Sequence, residues 1–222
     1  MPSCRRRKPV RLLLPSLAIV LWSGSAGAHP HGWIDLQVTI LLDESGAVRG
    51  LRESWLFDEV YSAFATEGMD GDGDGMPDAE NLQALTAVNL QQLGTWDFFT
   101  EVRAGAGSVA VPEATDATTA FAGGRLYMAF TLLFEEPVPR DAQPFSYAIF
   151  DPTYMAAMAH LPEGDGVRLE GGPPGCAVSI KDAEPDPDIV AYALSLDVTQ
   201  TTDDSLGAQF AQWVTVSCRD AP

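Results

Sequence analysis

Basic residues are scarce. Thirteen Lys and Arg stand against 31 Asp and Glu in 222 residues, a formal net charge of -18. A nucleic acid would be repelled by such a surface before any base was read, so cations are the better-matched ligands. Histidine and cysteine are rarer still, three of each, so where they fall carries information. After the first 28 residues no apolar run approaches the roughly 18 residues that a membrane helix needs. No nucleophile with an adjacent base can be read from the chain, and the expectation is a protein that is not an enzyme. What remains is enough to fold, because 46% hydrophobic and 9% aromatic residues can bury a core.

Residues 1–28 join a basic start (Arg5, Arg6, Arg7, Lys8 and Arg11), an apolar run at 12–22 and a tail of small residues ending at Ala28. That order is expected of a secretory signal peptide, with a buried helix as the competing reading. Cys4 precedes the apolar run, the wrong side for a lipid-anchored cysteine. The expected mature chain is one soluble domain, 29–222, more acidic than its precursor because the leader removes five of the 13 basic residues. It keeps Cys176 and Cys218, an even pair that in an oxidising compartment reads as one disulfide. A two-thiolate metal site is the rival.

Along this chain, Ile34, Leu36, Val38 and Ile40 alternate with Asp35, Gln37 and Thr39, the period of a half-buried strand. Gly46 marks a turn into a second strand at 47–57, with Leu51, Trp55 and Phe57 inward, so the pair predicts a hairpin. A short helix is expected at 58–66 and a longer one at 79–99, with Leu82, Leu85, Val88 and Leu93 on one side. Strands are expected at 101–111, at 125–134 with 146–150 as its partner, at 176–180 after Gly-Gly-Pro-Pro-Gly, and at 213–218. A helix is expected at 185–194. The class is α+β: a mainly antiparallel sheet or sandwich carrying an EF-hand-like helix–loop–helix insertion at about 58–99.

Between the first two helices runs Asp70-Gly71-Asp72-Gly73-Asp74-Gly75-Met76-Pro77-Asp78-Ala79-Glu80-Asn81. Alternate carboxylates can converge on one hard cation, and Gly75 falls at the sixth place, where a calcium loop turns sharply. The expected calcium ligands are Asp70, Asp72, Asp74, the Met76 carbonyl and Asp78. The twelfth position is Asn81 instead of a bidentate glutamate, so Glu80 or water closes the shell. The competing reading is a solvated acidic turn.

All three histidines, His29, His31 and His160, follow the leader. Cleavage after Ala28 makes His29 the new terminus, whose amine and imidazole can chelate one ion. In an extended segment His29, His31, Trp33 and Asp35 share one side, a set suited to zinc, nickel or copper. Pro30 lacks the amide that a square-planar terminal copper site requires. The competing reading is a frayed end with solvated histidines. His160 is either a third nitrogen of a copper site or a half-buried residue at a helix end, and Met155 and Met158 read as core filler.

His29-Pro30-His31-Gly32-Trp33-Ile34-Asp35, Trp55-Leu56-Phe57-Asp58-Glu59, the aspartate-rich loop, Asp97-Phe98-Phe99-Thr100 and Phe150-Asp151-Pro152-Thr153-Tyr154 together resemble the bacterial periplasmic family catalogued as domain of unknown function 1007 (DUF1007). Gly32 departs from the larger apolar residue more usual there. The resemblance implies a periplasmic component of a metal-transport system, zinc or else nickel or cobalt, partnered with an inner-membrane permease. It marks His29, His31, Asp35, Asp58 and Asp151 as the metal-site positions. Two other expectations compete with this accessory protein: a calcium-stabilised structural or adhesive module with idle histidines, and an enzyme, either copper-dependent or a hydrolase using Asp35, Asp58 and Asp151.

Overall fold

The computed structural model describes residues 30–142, 144–162, 164–196, 200, 202 and 205–218. The expected leader and His29 lie outside them. Two sheets carry the fold. In the first, β1 (Gly32–Leu42) and β2 (Val48–Phe57) form the expected hairpin, β6 (Arg125–Val138) pairs with β2, and β5 (Ala114–Ala122) lies beyond β6. The opposite flank of β1 takes two short strands in succession, β8 (Ala156–His160) along Gly32–Leu36 and β9 (Val167–Glu170) along Val38–Leu41. Both run parallel to β1, so the sheet is mixed where the alternation alone suggests antiparallel pairing.

The second sheet has the order β10 (Cys176–Lys181), β11 (Trp213–Cys218), β7 (Phe145–Ile149), β3 (Thr100–Ala104) and β4 (Gly107–Val109). Three expectations are corrected here. The segment at 146–150 pairs with β3 and β11 and not with β6, since both of its neighbours offer matching apolar faces for the second layer. The strand expected at 101–111 is a hairpin of two short strands, turned at Gly105 (φ 56°). His160 ends a strand, not a helix.

The inward faces of the two sheets meet in one core, with Leu36, Ile40, Leu51 and Phe130 from the first and Val102, Phe145, Tyr147 and Val214 from the second. Alternation places these side chains there, because every second residue of a strand faces the same layer. The five residues expected inward on β6, from Leu126 to Phe134, are all buried.

Two helices enter between β2 and β3, α1 (Glu59–Ala65) and α2 (Ala79–Gly94). Asp58 caps α1, accepting bonds from the Val60 and Tyr61 amides. α2 rests on β5, where Thr86 donates to the Thr119 hydroxyl over 2.7 Å. Leu82, Leu85, Leu90 and Leu93 turn to the core, while Val88, expected among them, is 56% exposed. The helix stops at Gly94, five residues short of expectation. Asp97, Phe98 and Phe99 follow with φ of 50°, 53° and 56°, a left-handed turn of three non-glycine residues. Such backbone costs about 1–2 kcal/mol per residue, and burial of Phe98 against Phe130 offsets part of it. The turn leaves Phe99 lying flat on Trp55.

A third helix, α3 (Pro187–Ser195), starts with Asp186 accepting from the Asp188 amide. Its Ala193 packs with Leu196 and Leu206 in a smaller cluster, bordered by the stacked pair Tyr154 and Phe210. Cys176 and Cys218 are register partners at the ends of β10 and β11 and form a disulfide with Cα atoms 3.9 Å apart. This excludes the two-thiolate site. Reduction, or serine at both positions, is expected to cost roughly 2–4 kcal/mol in urea unfolding. An unchanged midpoint would show that pairing across the two strands suffices. No helix among the described residues is long and apolar enough to cross a membrane, and the disulfide is compatible with an extracytoplasmic location.

Candidate functional site

The start of β1, the β2–α1 junction, one face of α2 and the 151–156 segment enclose a cavity of about 340 Å³. Its floor is apolar and deeply buried: Ile34, Trp55 and Met128 are 7%, 2% and 1% exposed. Phe57 and Phe99 continue the wall, and Trp55 packs edge-on against Phe57. His31, Trp33 and Gln92 are exposed at the rim. Asp58, Tyr61, Asn89 and Asp151 complete the polar part of the lining.

Asp58 joins three elements. One carboxylate oxygen accepts from the Val60 and Tyr61 amides at 2.8 and 2.9 Å, and the other from the Trp33 amide at 2.9 Å. Burial opposes its ionisation, but those three amides, helped by the charge of Arg125, outweigh that cost and hold the carboxyl below its usual range. Gly32 sits against it, since a Cβ there would lie 3.1 Å from the Asp58 Oδ2.

Asp151, 7% exposed, is arranged in the same way. Its Oδ1 accepts from the Thr153 amide and hydroxyl at 2.9 and 2.8 Å, and its Oδ2 from the Ala156 amide at 3.0 Å. The segment is locked from behind by Gly207, whose amide donates to the Pro152 carbonyl. A Cβ on Gly207 would fall inside the Asp151 carbonyl, so only glycine allows that approach. His31 is tied to the same segment through its amide, which donates to the Met155 carbonyl at 2.7 Å.

Of the six expected transition-metal residues, the fold therefore brings His31, Asp58 and Asp151 to one cavity, and His29 lies outside the described residues. Asp35 shares the outward side of β1 with His31 and Trp33 but is paired with Arg125 at 2.9 Å. Arg125 also donates to the carbonyls of Phe57 and Leu56. His160 is elsewhere, 7% exposed in the core. Its ring nitrogens lie 3.2 Å from the Tyr147 hydroxyl and 3.1 Å from the Gln212 side-chain oxygen. Burial holds its imidazole below the usual value, against the bond to Gln212.

Near this network lies Glu53, which belongs to no sequence motif. Glu53 is fully buried on the inward face of β2, accepting from the Trp55 indole at 3.0 Å and the Thr100 hydroxyl at 3.1 Å. The period of two that turns Leu51, Trp55 and Phe57 inward predicts its burial as well. It fixes the ring that floors the cavity.

In the acidic loop, Asp70, Asp72 and Asp74 bring ligand atoms within 4.8 Å of one another, the one such trio of His, Cys, Asp or Glu among the described residues. Asp70 accepts from the Gly73 and Gly75 amides at 2.7 and 2.9 Å, and Gly75 has φ 87°. Glu80 and Asp78 are not part of the trio. Asp78 accepts from the Gly71 amide instead, and Asn81 donates to the Met69 carbonyl, closing the loop onto the start of α2. The Met76 amide donates to Asp74.

The chain is similar to a Haemophilus influenzae protein described as uncharacterized, 27% identical over 194 residues, which are 86% of this chain and 91% of the relative. The family described as "Protein of unknown function (DUF1007)" matches residues 14–218. With the match running through both sheets and the cavity, the chain belongs to the DUF1007 family.

Proposed function

We propose that the chain is an extracytoplasmic, periplasmic metal-binding accessory protein that captures a transition ion at the rim of the β1–α2 cavity and presents it to an inner-membrane permease. Zinc is the proposed ion, with nickel, cobalt or copper as the other members of the class. The observation that supports the reading is that His31, Asp58 and Asp151, from three distant parts of the sequence, line one cavity, although their ligand atoms do not converge within 4.8 Å as those of the acidic trio do. Asp58 and Asp151 each keep an oxygen that takes a single backbone amide. Their orientation by main-chain donors is the preorganisation that a ligand carboxylate needs. His29, two residues before His31, supplies an imidazole and, after leader removal, an amine.

The experiment is a zinc titration of the correctly processed protein beside a form with one extra residue before His29. The reading expects one tight site in the first and at least about tenfold weaker binding in the second, since one nitrogen donor is displaced. Equal affinity would remove the terminal amine from the site, and no zinc binding in either would end the proposal.

The acidic trio supports a second reading, a calcium-stabilised module. The proposal assigns calcium a structural role at Asp70, Asp72 and Asp74, with Met76, Asp78 and Glu80 as further ligands, pinning α1 and α2 beside the sheet. Millimolar calcium is then expected to raise Tm by several degrees in the native chain and not in Asp72→Asn/Asp74→Asn. An equal rise in both would show that calcium acts elsewhere.

A further inference from the structure

A bare metal ion has no use for the space behind His31. The cavity is walled by aromatic and thioether side chains, and its depth is set by Trp55 and Met128, both almost wholly buried. Flat apolar walls of this kind take an organic body. The polar groups around it are two carboxyls, Asp58 and Asp151, the amides of Asn89 and Gln92, the Tyr61 hydroxyl and, at the rim, the His31 imidazole, with no Lys or Arg in the lining among the described residues. Arg125, whose charge reaches Asp58, is itself held by Asp35 and by two main-chain carbonyls.

From this arrangement we infer that the cavity binds a small amphipathic cation, an arylalkyl- or alkylammonium whose apolar body lies among Tyr61, Leu93, Phe99 and Met155 above the Trp55 floor and whose charged head donates to Asp58 and Asp151. The ammonium supplies N–H donors to the lone pairs these carboxylates keep beyond the three hydrogen bonds each accepts, and the aromatic faces attract its cationic end as well. An anion of the same shape meets two carboxylates, while the nearby Arg125 is already engaged by Asp35. A neutral analogue keeps the apolar contact and loses the charge-assisted bonds. The inference does not rest on the metal reading, because it requires neither His29 nor a bound ion.

The test is calorimetry on the full exported protein, stripped of metal with a chelator, against four probes: 2-phenylethylamine, 2-phenylethanol, phenylacetate and ethylamine. Saturable one-site binding is expected for 2-phenylethylamine, about tenfold or more tighter than for 2-phenylethanol, the step for one charge-assisted hydrogen bond. Phenylacetate and ethylamine are expected to bind too weakly to measure. Asp151→Asn is expected to weaken the amine about tenfold and leave the alcohol nearly unchanged. If that variant loosens the 151–156 segment, Asn89→Phe decides the matter. It places a ring in the cavity from a half-buried helix position, and it should abolish binding of both probes with the protein still folded by circular dichroism. Absence of saturable amine binding, phenylacetate binding as tight as the amine, or an undiminished affinity in Asn89→Phe overturns the inference. A protein that binds the amine but no zinc retains this inference and loses only the metal reading.

Discussion

Between about pH 5 and about pH 8 the native protein is expected to lose on the order of 4 kcal/mol of unfolding free energy relative to Glu53→Gln. Glu53 has no exposed surface. Burial pushes its carboxyl up to about 8 from an ordinary value near 4.5, against the pull of the bonds from Trp55 and Thr100. Below the unfolded value both states hold the proton and the folded chain keeps its full stability. As pH rises past it, the unfolded chain releases the proton while the folded one retains it, so stability drains away until the folded group also ionises near 8.

His160 runs the other way. Its imidazole is held below the usual value by burial, so acid favours the unfolded chain through that residue. Comparing the two proteins at each pH cancels this opposing contribution. Glutamine keeps a carbonyl oxygen for the indole and the hydroxyl, which makes the variant a stand-in for the protonated acid. Urea midpoints over the range are the measurement, and a difference that stays constant with pH would contradict the assignment.

Trp55→Ala is expected to destabilise the protein by about 3–5 kcal/mol, the range for emptying a large aromatic site in a core. The ring is 2% exposed, with its centroid 5.3 Å from that of Phe130 and 6.1 Å from that of Phe99. Its removal also deprives buried Glu53 of a donor, which adds the cost of an unmet polar group. Phe99 loses the surface that helps hold Asp97, Phe98 and Phe99 in their left-handed turn. Trp33→Ala is the control. That residue is 58% exposed at the rim, and its loss should stay within about 1 kcal/mol. Thermal and urea unfolding of the two variants check the contrast, and similar losses in both would mean that the cavity floor is not part of the load-carrying core.

The strands that can be read from the sequence are those with one apolar and one polar face. β1 and β6 alternate over nine or more residues, β2 over the seven from Leu51 to Phe57, and β11 shows the same pattern with Val214 and Val216. β5 is hidden because Ala114–Ala122 is mostly threonine and alanine, with a register shift between Thr115 and Thr118. β8 is a run of four small or apolar residues and a histidine, too short for periodicity to separate strand from helix. Its parallel pairing depends on a distant segment that no local pattern announces.

The end of α2 is hidden for another reason. The helical spacing continues through Leu93, but burying Phe98 turns the chain left-handed, and tertiary packing overrides local preference there.

In the site, His31, Asp58 and Asp151 are legible as residue types beside conspicuous motifs. Their meeting is not, because it needs the 151–156 segment to lie along β1. Trp55 and Met128 read as ordinary core and prove to be both core and cavity floor. The ion pair between Asp35 and Arg125 joins residues 90 positions apart, so nothing near Asp35 signals that its carboxylate is shared.

The proposed role requires a transition ion at the rim of this cavity. Anomalous scattering at the zinc edge, from crystals of the correctly processed protein grown with zinc, locates such an ion. An ordered peak is expected within bonding distance of the His31 imidazole at the cavity mouth. A peak confined to the Asp70, Asp72 and Asp74 loop, or no ordered zinc at all, would contradict it.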